Sequence, residues 1–185
     1  MLLEDEQKTE RPTVPAGMHT AWLYRIVDMG TQKIISMGQE SNKRRLRFTW
    51  ELPDETMEDG RPLSIDREYT YSLFKQSTLA KDILSWTGSL PGEKFDTKPL
   101  FDTPCNLNVA HKASGERTYA NVVGIAPLKK GEVPKPRHNP IVTFSLRKFD
   151  QATFNSFPAW LQDKIRLAPE YAEAMGIGDS TQMSA

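Results

Sequence analysis

The order of hydrophobic patterns along this chain predicts a mainly β fold: a small five-stranded barrel, one helix between its third and fourth strands, and helices at the C-terminal end. Three observations predict it. Apolar residues alternate with period two in several short runs, as they do when strand side chains point to opposite faces. The period turns helical once between the third and fourth runs, and again near the C-terminus. At 185 residues the chain suits one ordinary domain with its own core, and no internal repeat is visible.

Residues 1–16 are polar, carry Pro12 and Pro15 and lack an apolar period, so they read as a flexible arm. The barrel is expected over 17–146. Trp22, Leu23, Tyr24, Ile26 and Val27 make His19–Met29 a first strand, stopped by the turn signal Gly30-Thr31-Gln32. Lys33–Gly38 reads as a short continuation or a hairpin. Arg44–Leu52 alternates most cleanly, with Leu46, Phe48, Trp50 and Leu52 inward and Arg45, Arg47, Thr49 and Glu51 outward. Pro53–Pro62 is an acidic loop, and Arg67–Phe74 a third strand with Tyr69, Tyr71 and Leu73 on one face.

Ser77 is a good helix N-cap, Leu79, Ile83 and Trp86 recur at helical spacing, and Gly88 stands where a C-terminal glycine ends a helix. A loop with Pro91, Pro99 and Pro104 leads to strand Cys105–His111, a hairpin loop at 112–117, and the returning strand Thr118–Ile125. Lys129–Asn139 is a basic, proline-rich loop, and Ile141–Leu146 a further short strand. A C-terminal helical extension is expected over 147–176, with Ser156 capping a helix from Pro158 that Pro169 interrupts. Residues 177–185 read as a disordered tail.

Lys plus Arg and Asp plus Glu each number 24, so electrostatic arguments must be local. The longest apolar runs fall far short of the ~20 residues of a membrane span, and the acidic start is unlike a signal peptide, so a cytoplasmic protein is expected. Cys105 is the only cysteine and reads as a small buried apolar residue. His19, His111 and His138 are dispersed, and six residues of strand set Cys105 ~20 Å from His111, too far to share an ion. Neither a metal nor a cofactor is expected.

Three strands, a helix and a two-stranded hairpin is the order of an OB-fold, a Greek-key barrel whose second and third strands commonly hold oligonucleotides or oligosaccharides. The runs Ile26-Val27-Asp28-Met29-Gly30-Thr31, Arg47-Phe48-Thr49-Trp50-Glu51-Leu52 and Tyr71-Ser72-Leu73-Phe74-Lys75-Gln76-Ser77-Thr78-Leu79 with Ser85-Trp86-Thr87-Gly88 point the same way. So do Cys105-Asn106-Leu107-Asn108-Val109, Tyr119-Ala120-Asn121-Val122 and Pro158-Ala159-Trp160-Leu161. Over most of 17–175 the chain resembles small bacteriophage single-stranded DNA-binding proteins from replication gene clusters. The resemblance implies an OB-fold, single-stranded DNA as partner, roles in DNA replication or recombination, and replication proteins or further copies of the chain as additional partners. It fixes no individual residue. Many proteins of that function end in an acidic tail, whereas here Glu4, Asp5, Glu6 and Glu10 cluster at the opposite end.

Single strands are held by cations along the phosphates and aromatic rings on which bases stack. Lys43, Arg44, Arg45 and Arg47 stand among residues 41–50 without a carboxylate, and Arg45 and Arg47 point outward. The competing reading pairs these arginines with Asp54, Glu55, Glu58 and Asp59 downstream. Lys129, Lys130, Lys135, Arg137 and His138 form a second basic segment; Lys112 and Arg117 flank the hairpin loop where OB-folds grip a ligand. Trp22 and Tyr24 are stacking candidates, with Ala21, Leu23 and Val27 filling the inward face, although Arg25 shares that face. Tyr69, Tyr71 and Tyr119 complete the nucleic-acid-binding set, and Phe48, Trp50 and Trp86 go to the core.

Catalysis is not expected: phosphate-loop, dinucleotide, nucleophile-elbow and His-Glu-x-x-His motifs are absent. A nuclease site assembled from Asp28, Glu40, Glu51 and Asp66 is the competing enzyme reading. The alternative outside catalysis is a protein-interaction or structural module docking through Phe154, Phe157 and Trp160.

Overall fold

The computed structural model describes residues 11–177. Residues 1–10 of the expected arm and 178–185 of the expected tail lie outside the described residues. In chain order the elements are β1 (Gly17–Ser36), β2 (Gln39–Thr56), β3 (Pro62–Thr70), α1 (Thr78–Thr87), α2 (Lys98–Phe101), β4 (Cys105–Ser114), β5 (Arg117–Pro127), β6 (Val142–Phe144), α3 (Gln151–Asn155), α4 (Ala159–Arg166) and α5 (Pro169–Ala174). The sheet order is β3-β2-β1-β4-β5 with antiparallel neighbours, and β6 adds to β1 in parallel.

The expected closed barrel is not formed, because no ladder joins β3 to β5. Side chains bridge the gap instead. Ser77 caps α1 as its sequence predicts, Gly88 ends it in the left-handed region, and the helix spans the seam. Ser85 Oγ donates to Ile125 O of β5 at 2.5 Å, while Asp82 takes the Tyr69 hydroxyl at 2.7 Å and Arg67 at 2.8 Å from β3. Val14, assigned above to the flexible arm, is 4% exposed and fills the core, its carbonyl 2.8 Å from His111 Nε2.

β1 does not stop at Gly30. It runs on to a hairpin at Met37-Gly38 and carries register shifts at Leu23/Arg25 and Asp28/Gly30. The first shift resolves the awkward placement of Arg25. Ala21, Leu23 and Ile26 face the main core, whereas Arg25 turns outward to Thr49 and Val27 and Met29 enter a second core on the opposite face. An extra residue in one strand thus exchanges the faces of those that follow. Gly30 sits at φ +68, and a Cβ there would lie 2.4 Å from Ala168 Cβ and 2.8 Å from Leu146 Cδ1. Only glycine fits this approach.

The main core holds the alternating residues of β2 with Trp86, Leu107, Val109 and Cys105, whose thiol burial pushes up. The second core joins Val27 and Met29 to Phe144, Phe154, Phe157, Leu161 and Ile165. The C-terminal helices are therefore a layer of the same body. Phe154 (1% exposed) and Phe157 (5%) face inward, which removes them as docking residues; Trp160 alone of that trio is half exposed. Ser156 ends α3 and Pro158 starts α4, so the single interrupted helix expected here is three short ones.

Candidate nucleic-acid interface

Arg45 and Arg47 do lie on the face opposite Leu46 and Phe48, but β3 sets Glu68 directly across from Arg47 and Thr70 across from Arg45. Arg47 reaches Glu68 at 2.8 Å and Asp66 at 2.7 Å, and Arg45 donates to Thr70 Oγ1 at 3.0 Å. From α4, Lys164 Nζ adds a contact to Glu68 at 3.1 Å and Trp160 stacks on the Arg47 guanidinium at 4.7 Å. Burial alone would raise the Glu68 pKa, yet Lys164 and Arg47 hold it below the usual glutamate range. The charges predicted to meet phosphate are thus neutralised within the sheet and partly roofed by a helix. The acidic loop is not their partner: Asp54 pairs with Lys135 at 2.9 Å, Glu55 with His19 at 3.5 Å and Asp59 with Arg61 at 2.7 Å. Lys43 stays exposed further along β2.

Trp22 and Tyr24 point outward as expected, but their faces are occupied. The segment after β5 crosses this side of the sheet, accepts the Trp22 indole N–H at Lys135 O (2.8 Å) and lays Arg137 on the ring at 5.0 Å. The crossing is anchored by carboxylates. Glu51, fully buried, accepts from His138 N at 2.5 Å and from Asn139 N at 2.8 Å, and Glu132 accepts from Thr20 and Asn106 at 3.0 Å each. Hydrogen bonds from Asn106 and the Lys129 amide keep Glu132 below its ordinary pKa. The second basic segment is therefore a strap across the sheet. Tyr24 is half-buried with its hydroxyl 3.2 Å from Ser64 Oγ. Tyr69 is 2% exposed and belongs to the core; burial, then the Asp82 charge, pushes its hydroxyl pKa up. Both are less exposed than Tyr71.

Tyr71 differs because β3 ends before it. One more backbone bond, Tyr71 N to Arg44 O at 2.8 Å, closes the ladder, and the chain then turns away toward α1. The ring, 41% exposed, has the guanidiniums of Arg44 and Arg147 at 5.4 Å and 5.9 Å from its centroid. It lines a groove of about 1050 Å³ between residues 44–48 of β2, α1, the loop before α2 and the segment after β6. Leu46, Phe48 and Ile83 form the floor, Phe95 and Phe149 join Tyr71 as aromatic walls, and Lys94, Arg147 and Lys148 stand at the rim. Its carboxylates are largely committed. Asp28 binds Arg44 at 2.5 Å and receives the amides of Gly30 and Leu146, which leaves Arg44 raised in pKa and fixed beneath the ring. Asp150 caps α3 through Thr153 N at 2.8 Å, and Glu93 completes the lining. Among the described residues no ion pair engages Lys94, Arg147 or Lys148. The volume stands at the upper end of small-ligand sites, roughly 300–1,000 Å³, with room for more than one planar ring.

Lys112, Arg117 and Tyr119 also come together. β4 and β5 run on to a tight turn at Gly115-Glu116, pairing Lys112 with Tyr119 and Ser114 with Arg117, so all three share one exposed face. Tyr119, 49% exposed, borders a shallower cleft of about 380 Å³ along the β3/β5 seam. Sequence reading missed Lys94, Phe95, Arg147, Lys148 and Phe149. The run Arg147-Lys148-Phe149 carries the basic–aromatic interleaving that marks such sites, but it falls at a boundary between elements where no period highlights it. No protein-family model matches the chain, and comparison with curated proteins finds no matching relative.

Proposed function

We propose that this protein binds single-stranded DNA with little sequence preference, on an OB-fold-like sheet, in the replication or recombination setting that its phage resemblance implies. The observation that carries the reading is the groove, in which a half-exposed tyrosine within about 6 Å of two guanidiniums shares one cavity with Phe95, Phe149 and three rim cations that have no ion-pair partner among the described residues. Stacking on such rings serves any base, because every base has a π-face, and the rim cations supply the phosphate contacts. The strand order and the exposed hairpin face of Lys112, Arg117 and Tyr119 support the same reading. This relocates binding from the Arg45/Arg47 face to the opposite face of the same stretch of β2, beside the end of β3.

The test is a fluorescence-polarisation titration of labelled oligo-dT, with duplex as competitor, at two salt concentrations. Loss of one stacked base in Tyr71→Ala is expected to weaken binding about tenfold. Three phosphate contacts give a slope of log affinity against log salt near −2, and Arg147→Ala/Lys148→Ala reduces it. Undiminished binding by both variants would move the site elsewhere. No binding by the wild type at low salt would overturn the function.

A further inference from the structure

We infer that the tip of the β1–β2 ribbon is a wedge that opens a base step where single-stranded meets double-stranded DNA. The inference rests on the single-strand reading above. Gln32 is the last residue of β1 tied to the body, through Lys164 O at 2.9 Å. Beyond it the ribbon pairs only with itself, Lys33 with Asn42, Ile34 with Ser41, Ile35 with Glu40 and Ser36 with Gln39. Among the described residues no side-chain hydrogen bond or ion pair joins 33–43 to the rest of the chain. Four paired positions and the turn give a projection of about 15 Å, enough to cross a DNA groove.

The tip is built against the needs of folding. Met37 and Gly38 both have positive φ, +51° and +74°, which is the geometry of a two-residue type I′ turn. That turn favours asparagine at the first position, whereas methionine is strained there. Nothing offsets the strain, since Met37 is 102% exposed and Ile35 beside it 72%. An unfavourable backbone held at an exposed apolar side chain calls for a functional explanation.

Size decides the occupant. A stable protein interface needs about 800 Å² from each partner, far more than two aliphatic side chains supply. A single base step needs no more than that, and isoleucine and methionine are among the wedges that unstack DNA. Charge agrees: residues 33–43 carry Lys33 and Lys43 against Glu40 alone, and Glu40 is held by Lys33 at 2.8 Å, which leaves Lys43 without an ion pair among the described residues.

The variant Met37→Asn suits the turn better, so its melting temperature should equal or exceed that of the wild type. The probes are oligo-dT and a forked duplex carrying 2-aminopurine at the junction pair. Wild type should prefer the fork about tenfold and brighten the 2-aminopurine as the step unstacks, and Met37→Asn should lose both while binding oligo-dT unchanged. Fork preference and brightening that persist in Met37→Asn overturn the wedge. A wild type that binds oligo-dT without preferring the fork overturns the wedge and leaves the single-strand reading standing, whereas failure to bind either probe removes both.

Discussion

At Gly30 two requirements meet in one residue: a left-handed backbone and an absent side chain. The Gly30→Ala variant should lose about 2–4 kcal/mol, from strain and from displacing Ala168 and Leu146, read as a lower denaturant midpoint. Glu68 gives a residue-scale dependence on pH. Its folded-state pKa lies below the free value, so its stabilisation is complete above the free value and is lost as pH falls through the folded one. Glu170, bound to Thr31 Oγ1 at 2.5 Å and the Thr31 amide at 2.9 Å, is lowered against the opposing effect of burial and acts in the same direction. Midpoints measured from pH 7 down to pH 3 should therefore fall more steeply for wild type than for Glu68→Gln.

Among the elements, β2 shows best what a sequence discloses. Its alternation names Leu46, Phe48, Trp50 and Leu52 as core, as they are, and Arg45, Arg47, Thr49 and Glu51 as the outward face, on which Arg45 and Arg47 are part-exposed but Thr49 and Glu51 are buried. α1 was equally legible, because its cap, period and terminal glycine are local signals. What the outward arginines meet is a matter of register between strands, and no local pattern reports that Arg47 lies opposite Glu68. The groove was illegible for the same reason, its walls coming from residues 71, 95 and 149. Only Tyr71 was identified in advance, as a member of a strand face it does not join. Arg47→Ala should leave Glu68 and Asp66 without a main partner and cost about 1–3 kcal/mol of stability, yet weaken oligo-dT binding less than Tyr71→Ala does. Paired denaturation and polarisation measurements on the two variants separate these effects.

For the whole molecule, the decisive fact is that β1 belongs to both cores, giving Leu23 and Ile26 to one and Val27 and Met29 to the other. Two layers that share a strand should melt together. Leu107→Ala in the main core and Leu161→Ala in the second should each lower a single transition by about 2–5 kcal/mol, with tryptophan fluorescence and circular dichroism coinciding. A chain ending near residue 140 would expose Val27 and Met29 and should not fold cooperatively. The unpaired edge of β5 has a different consequence, in time rather than in energy. Every second amide of that strand faces a seam bridged by side chains, while β1 is hydrogen-bonded along β2 and, over part of its length, to β4 or β6. In deuterium oxide the molecule should breathe from the seam inward, with alternate amides of Tyr119–Val123 exchanging first and those of Leu23 and Trp50 waiting for global unfolding.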